Sequence, residues 1–184
     1  MAVGSGSVAD GSSVALGQNA NAETVDGQGW AVAVGNGPVA NKVGAVSLGA
    51  HANANGERSL ALGADTISNG KYSMSIGNKA KASHQESVAI GHDSITDRNN
   101  SVSVGNEDNK RQIVNVADGT KLNDAVNYGQ LKNEAIKANR YTDNSSGKTL
   151  SQANSYTDSK IKRLEDKENI KNKKQDVPLK CSFF

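Results

Sequence analysis

The sequence predicts a β-solenoid of 14-residue laps, followed by a connector and an α-helical coiled-coil stalk. Three observations carry that prediction. First, a core of apolar, small, apolar, Gly recurs as Val46-Ser47-Leu48-Gly49, Leu60-Ala61-Leu62-Gly63, Met74-Ser75-Ile76-Gly77, Val88-Ala89-Ile90-Gly91 and Val102-Ser103-Val104-Gly105, its glycines 14 residues apart. A fixed period of this kind marks a repeat architecture. Second, small or apolar residues alternate with polar ones inside each copy, which is the period of a strand. Third, from Leu131 onward glycine disappears except for Gly147, and a 15-residue repetition takes over.

Each lap reads as strand, turn, strand, turn. The second halves are Ala52-Asn53-Ala54, Thr66-Ile67, Ala80-Lys81-Ala82 and Ser94-Ile95, separated by the turn formers Asn55-Gly56, Asn69-Gly70 and Asp97-Arg98-Asn99-Asn100. The repeated Gly ends the first strand, where a backbone closed to a Cβ costs Gly least. One lap cannot bury a core, but laps stacked about 4.7 Å apart bury a continuous one. Side chains two apart share a face, so Val46 with Leu48, Leu60 with Leu62, Met74 with Ile76, Val88 with Ile90 and Val102 with Val104 are expected to fill the head core. The middle residue, Ala89 and its counterparts, then points the other way. It is small in every copy, which suits a close-packed second interface and is expected to meet a neighbouring chain.

Composition supports a thin rod. The 184 residues include 19 glycines, two prolines, 35% hydrophobic and only 4% aromatic residues, a poor supply for one thick core. A net charge of +2 is too small to point to nucleic acid or a membrane surface. The single cysteine, Cys181, excludes an intrachain disulfide and a multi-cysteine zinc site. No apolar run approaches the length of a membrane-spanning helix. No phosphate loop, zinc-protease or serine-hydrolase motif is present, so no catalytic residue, cofactor or metal is expected. The histidines His51, His84 and His92 fall out of phase along the repeat and read as turn residues.

Taken in order, residues 1–22 hold two laps, built on Met1-Ala2-Val3-Gly4 and Val14-Ala15-Leu16-Gly17. Met1 sits inside a repeat, so the natural chain is expected to extend upstream. Residues 23–30, Glu23 to Trp30, hold a four-residue excess before Val32-Ala33-Val34-Gly35 and read as a loop bulging from one corner. Insertions of this kind map to solenoid corners and often to the binding face, which makes Trp30 a possible ligand contact. Regular laps then run to Gly105, giving a head over residues 1–108.

Beyond a polar break at Asn106 to Lys110 come Arg111-Gln112-Ile113-Val114-Asn115-Val116-Ala117-Asp118-Gly119-Thr120 and Asp124-Ala125-Val126-Asn127-Tyr128-Gly129-Gln130-Leu131. This stretch resembles the neck of the trimeric autotransporter adhesins, the YadA-like family, whose pattern is roughly R-Q-I-x-N-V-A-x-G-T followed by D-A-V-N-x-x-Q-L. The laps resemble that family's head motif, N-S-V-A-I-G, best seen in Asn100-Ser101-Val102-Ser103-Val104-Gly105. The resemblance implies a left-handed parallel β-roll, three of them side by side, and a neck connector over 109–131 that joins the head to a narrow stalk. Ile113, Val114, Val116, Ala125, Val126 and Leu131 are the residues expected to pack the neck of the trimer.

The stalk is expected over 132–170. Ala138-Asn139-Arg140-Tyr141-Thr142-Asp143 returns as Ala153-Asn154-Ser155-Tyr156-Thr157-Asp158, a shift of 15 that favours a right-handed supercoil. A seam of Leu131, Ala135, Ala138, Thr142, Ser146, Leu150, Ala153, Thr157 and Ile161 fits the spacing. Residues 171–184 read as an irregular tail. The family's membrane β-barrel anchor has no counterpart in this chain, since a membrane strand needs about 9–11 alternating residues.

The function that the resemblance implies is multivalent, non-enzymatic attachment at a bacterial cell surface. Its partners would be a homotrimer of the chain itself and a host matrix or surface protein, collagen-like or immunoglobulin, with membrane contact only through an anchor. Two other readings compete: a structural fibre spacer whose binding tip lies elsewhere, and a solenoid enzyme built on scattered carboxylates such as Asp65, Glu86, Asp93 and Asp97.

Overall fold

Fourteen residues leave room for two short strands and two tight corners, and that shortness decides which side chains face inward. The computed structural model describes residues 1–25 and 27–175. In the first unit, residues 1–112, laps contribute strands to two parallel sheets. One sheet runs through β1 (Ala2–Val3), β3 (Val14–Leu16), β5 (Val32–Val34), β7 (Val46–Leu48), β9 (Leu60–Leu62), β11 (Met74–Ile76), β13 (Val88–Ile90) and β14 (Val102–Ser103). The other runs through β2 (Val8–Ala9), β4 (Asn21–Ala22), β6 (Val39–Ala40), β8 (Asn53–Ala54), β10 (Ile67–Ser68) and β12 (Lys81–Ala82). Strands pair in register one lap apart, as Val46 with Leu60 and Leu48 with Leu62. Corners join the ladder too: the Asp65 amide donates to the Ala50 carbonyl and the Tyr72 amide to the Glu57 carbonyl, both at 2.9 Å. The backbone is thus satisfied lap by lap, whatever the side chains are.

Small side chains alone fill the interior. Ser59, Ala61, Thr66 and Ser68 line one lap, Ser73, Ser75, Ala80 and Ala82 the next, and Ser87, Ala89, Ser94 and Thr96 the one after, none more than 2% exposed. Among the described residues, nothing larger than Thr66 or Pro38 is fully enclosed. Some hydroxyls in this lumen bond locally, Ser68 to the Leu60 carbonyl at 2.6 Å and to Ser75 at 2.7 Å, and Ser87 to the His84 carbonyl at 2.7 Å. Those of Ser47, Ser59 and Ser73 are buried without a hydrogen-bond partner, a cost that the narrow interior carries.

The expected face assignment is therefore reversed. Val46, Leu48, Leu60, Leu62, Met74, Ile76, Val88, Ile90, Val102 and Val104 do not form the lap interior; they stand on the outer side of the longer sheet. Leu62 is 39% exposed, Ile90 43% and Val102 66%, against 0% for Ala61 and Ala89. The physical reason is width. The two sheets of so short a lap approach too closely to hold two branched side chains between them, so the uniformly small parity goes inside.

One glycine column shows how tight the stacking is. Gly49 has φ 139°, and a Cβ built on it would stand 2.5 Å from the Gly63 carbonyl oxygen. Only Gly tolerates both conditions. At the far end of the unit the Arg111 guanidinium donates to the His92 carbonyl at 2.6 Å, the Val104 carbonyl at 2.7 Å and the Ser94 hydroxyl at 3.0 Å, occupying acceptors of the last laps.

The second unit, from residue 113, holds an irregular stretch and one helix, α1 (Tyr128–Gln175), of 48 residues. The helix begins within the stretch expected as connector and continues past residue 170 to Gln175. Chain chemistry accounts for the length: between Gly147 and Pro178 there is no Gly or Pro to stop it. The remainder of the expected tail, with Cys181, lies outside the described residues.

Candidate interaction surfaces

The reversal leaves an apolar stripe on the outer face of the longer sheet. The first and third residues of each strand stack on their counterparts one lap away, Val46 on Leu60 on Met74 on Val88, and Leu48 on Leu62 on Ile76 on Ile90. A one-residue slip of register would turn the whole stripe inward, where it does not fit, so the stripe is fixed. No charged residue occupies any of these positions from Val14 to Val104. A continuous apolar surface with small residues behind it can bury area against a flat partner and do little else.

A second surface is the corner leading into that sheet. Trp30, Gly44, Arg58, Tyr72, Glu86 and Asn100 each lie three residues before the centre of a strand, at Ala33, Ser47, Ala61, Ser75, Ala89 and Ser103. All have positive φ, from 52° at Arg58 to 67° at Gly44. For Trp, Arg and Tyr that conformation is costly, of order 1–2 kcal/mol each. Around Tyr72 the ridge satisfies itself. Arg58 donates to the Tyr72 hydroxyl at 3.1 Å and lies 5.9 Å from its ring centroid, Lys71 lies 5.1 Å from the same ring, and Lys71 pairs with Glu57 at 2.9 Å. The hydrogen bond from Lys71 holds the Glu57 carboxyl below its ordinary range. Trp30, which the sequence offers either as packing for its loop or as a ligand contact, is 66% exposed.

The loop that carries Trp30 is tied down. The Asp10 carboxylate accepts from the Thr24 hydroxyl at 2.6 Å, the Thr24 amide at 2.9 Å and the Ser13 hydroxyl at 2.8 Å, while the Thr24 hydroxyl accepts from the Gly29 amide at 2.9 Å. These bonds, the Thr24 hydroxyl foremost, hold the Asp10 pKa below its ordinary value. Asp10 and Thr24 were not singled out from sequence, although the same 14-residue period that spaces the laps separates them.

The third surface lies in the second unit. Its polar residues bond to one another and its apolar residues do not. Asn127 caps α1: its side-chain oxygen accepts from the Gln130 amide at 2.9 Å, and Gln130 reaches back to the Asn127 amide at 3.4 Å, a capping box. Gln130 also clasps the Gly119 amide and carbonyl at 2.8 and 3.0 Å, Asn127 donates to Asp118 at 2.6 Å, and Asp124 accepts from the Thr120 and Lys121 amides at 2.9 Å. Those two amides, Thr120 first, hold the Asp124 carboxyl below its ordinary range. The Asn-x-x-Gln spacing is a readable signal that sequence reasoning passed over in favour of the apolar positions. Of those, Ile113, Val114, Val126 and Leu131 are 69%, 70%, 65% and 63% exposed in the single chain; Ala125 is exposed and Val116 half-buried. Along the helix Leu150, Ile161 and Leu164 are exposed as well. Thr142 and Thr157, equivalent in the 15-residue repeat, bond back to the Ala138 and Ala153 carbonyls at 3.1 and 2.9 Å.

Chemistry-bearing groups do not converge. His51 and His92 are exposed, and His84 contacts Thr96 at 3.2 Å. Among the described residues no three His, Cys, Asp or Glu side chains gather as a metal site would require, and no helix is long and apolar enough to cross a membrane.

Comparison with known proteins gives concordant matches. A family profile described as the YadA head domain repeat matches residues 11–27, 40–66, 68–94 and 85–107, and one described as the coiled stalk of trimeric autotransporter adhesin matches residues 112–154. Autotransporter adhesin BtaE of Brucella suis biovar 1 (strain 1330) is 47% identical over 58 residues, covering 29% of this chain and 8% of that protein. Adhesin YadA of Yersinia enterocolitica is 44% identical over 54 residues, covering 29% of this chain and 12% of that protein. The chain thus spans 8% and 12% of the length of these relatives. Among solved structures, the collagen-binding domain of Yersinia adhesin YadA aligns at 36% identity with a TM-score of 0.42, covering 67% of this chain and 83% of that one.

Proposed function

Because this chain belongs to the YadA-like family of trimeric autotransporter adhesins, we propose that it is a length of head, neck and stalk through which three copies present one multivalent attachment surface. The observation that carries this reading is the outward apolar stripe of the longer sheet, from Val14 and Leu16 to Val102 and Val104. Covering such side chains is worth about 25 cal/mol per Å² of apolar surface, and among the described residues they stand half-buried or exposed. Second copies of the same stripe are the occupant that its repetition fits best, with Ile113, Val114, Val116, Ala125, Val126 and Leu131 continuing the contact through the neck and the exposed Leu and Ile residues of α1 completing it in the stalk.

The mechanism is mechanical. A rod holds the head away from a bacterial surface, and identical faces raise avidity without strong single contacts. Partners in this reading are host matrix or cell-surface proteins, collagen-like or immunoglobulin, taken up by contact without turnover. The corners and the shorter sheet remain available to them once the longer sheet is occupied.

Light scattering on the purified chain, followed by binding to immobilised collagen and immunoglobulin, tests the proposal. A mass of three chains with saturable binding is expected. A monomer at micromolar concentration would overturn it, since Leu62, Ile90 and their counterparts would then face water. A trimer that binds nothing, while a longer chain does, would leave only the spacer role.

A further inference from the structure

The charge of the head is segregated: residues 1–41 contain Asp10, Glu23 and Asp26 and no Lys, Arg or His. Trp30 stands in this acidic end, 66% exposed, on a loop fastened by Asp10 and Thr24. Its backbone sits at φ 63°, where Gly fits best, and its counterpart one lap on is Gly44. The same ridge shows what its aromatic rings accept. Tyr72 has Arg58 and Lys71 at 5.9 and 5.1 Å from its ring centroid, both supplied by the chain. The residues that hold those two places for Trp30 are Ser12, one lap before it, and Gly29, beside it, and among the described residues no Lys or Arg lies over the indole.

We infer that Trp30, in the acidic end of the head, is a receptor for a cationic side chain, Lys or Arg, on a basic segment of a partner protein. Trp is the best of the aromatic rings for a cation, and the acidic end supplies the complementary field. The strain at Trp30 is consistent with a residue kept for display. Gly at this position would relieve it, so the indole is not there for the stability of the lap. This inference rests on the attachment reading and narrows it to one corner and one ligand chemistry.

Trp30 is the only tryptophan, so its fluorescence reports on the corner directly. Titrating the intact chain with octalysine is expected to shift or quench that emission saturably, and an octamer of acetyl-lysine is expected to leave it unchanged. With a labelled octalysine read by anisotropy, Trp30→Gly is expected to weaken binding about fivefold, the scale of an exposed cation–π contact, and to leave the melting temperature equal or higher. The inference is overturned if octalysine leaves the emission unchanged, if the acetylated peptide acts equally, or if Trp30→Gly binds as the parent does. Binding to immobilised host protein that survives Trp30→Gly would remove this inference and leave the attachment reading standing.

Discussion

The head and the helix leave their large apolar side chains outside for opposite reasons. The head has an interior, but one so narrow that only Ala61, Ser75, Thr66 and their like enter it, and Leu62 and Ile90 are excluded by size. The helix has no interior at all: a single 48-residue α1 satisfies its own backbone and offers Leu131, Leu150, Ile161 and Leu164 to solvent. The laps and the helix each pair their own backbone and leave large apolar side chains uncovered. A stacked backbone and a single helix therefore leave apolar surface outside by different geometry, and breaking each should produce a different failure.

The largest effect is expected from Gly49→Ala, which places a Cβ 2.5 Å from the Gly63 carbonyl oxygen at φ 139°. Loss of about 3 kcal/mol or more is expected, seen as collapse of the β signal in thermal circular dichroism while helical ellipticity persists. If both signals vanish together, the two units melt as one and the comparison needs redrawing. Next comes a paired test across one strand. Ala61→Leu overpacks the lumen and should cost about 3 kcal/mol, whereas Leu62→Ser should leave the secondary structure of the chain intact and lower its mass in light scattering. Equal effects at the two positions would contradict the assignment of inside and outside. A smaller loss, about 1 kcal/mol, is expected for Asn127→Ala, which removes the cap of α1; helical melting would record it. Gly147→Ala should act in the other direction, raising helix stability by about 0.5–1 kcal/mol, because its added Cβ meets nothing within 4 Å. The smallest effect concerns pH. Asp10 has its pKa lowered in the folded chain, so its latch contributes fully above the ordinary carboxylate value and is lost as pH falls through the lower folded value. Trp30 emission should change only in that acid window, and Asp10→Asn should abolish the dependence.

The period of 14 and the two strands per lap were readable because each is a matter of spacing. The direction of the faces was not. Alternation at Val88, Ala89 and Ile90 says that two parities exist; it does not say which is inside. That choice depends on the distance between the two sheets, a property of corner length and not of the strand. The available clue was uniformity of size. Ala or Ser stands at the middle position in every lap, while the outer positions vary among Val, Leu, Ile and Met, and invariance of volume belongs to the tighter place. The polar clasp of Asp118, Asp124, Asn127 and Gln130 was also within reach, through the Asn-x-x-Gln spacing. Asp10 with Thr24 lay one period of 14 apart, but the four-residue excess at 23–30 breaks the lap register there and hid the pairing.

The glycine column also fixes how such a rod can change in length. Each carbonyl along it fills the space that a side chain on the neighbouring lap would need, from Gly35 against Gly49 to Gly49 against Gly63. An insertion or deletion of a few residues within a strand would set a bulky residue against that column. A whole lap added or removed returns glycine to glycine and small to small. Length in this molecule is therefore quantised: the head behaves as a ruler graduated at about 4.7 Å per lap, and the extra residues at 23–30 are tolerated because they swell a corner without moving a graduation.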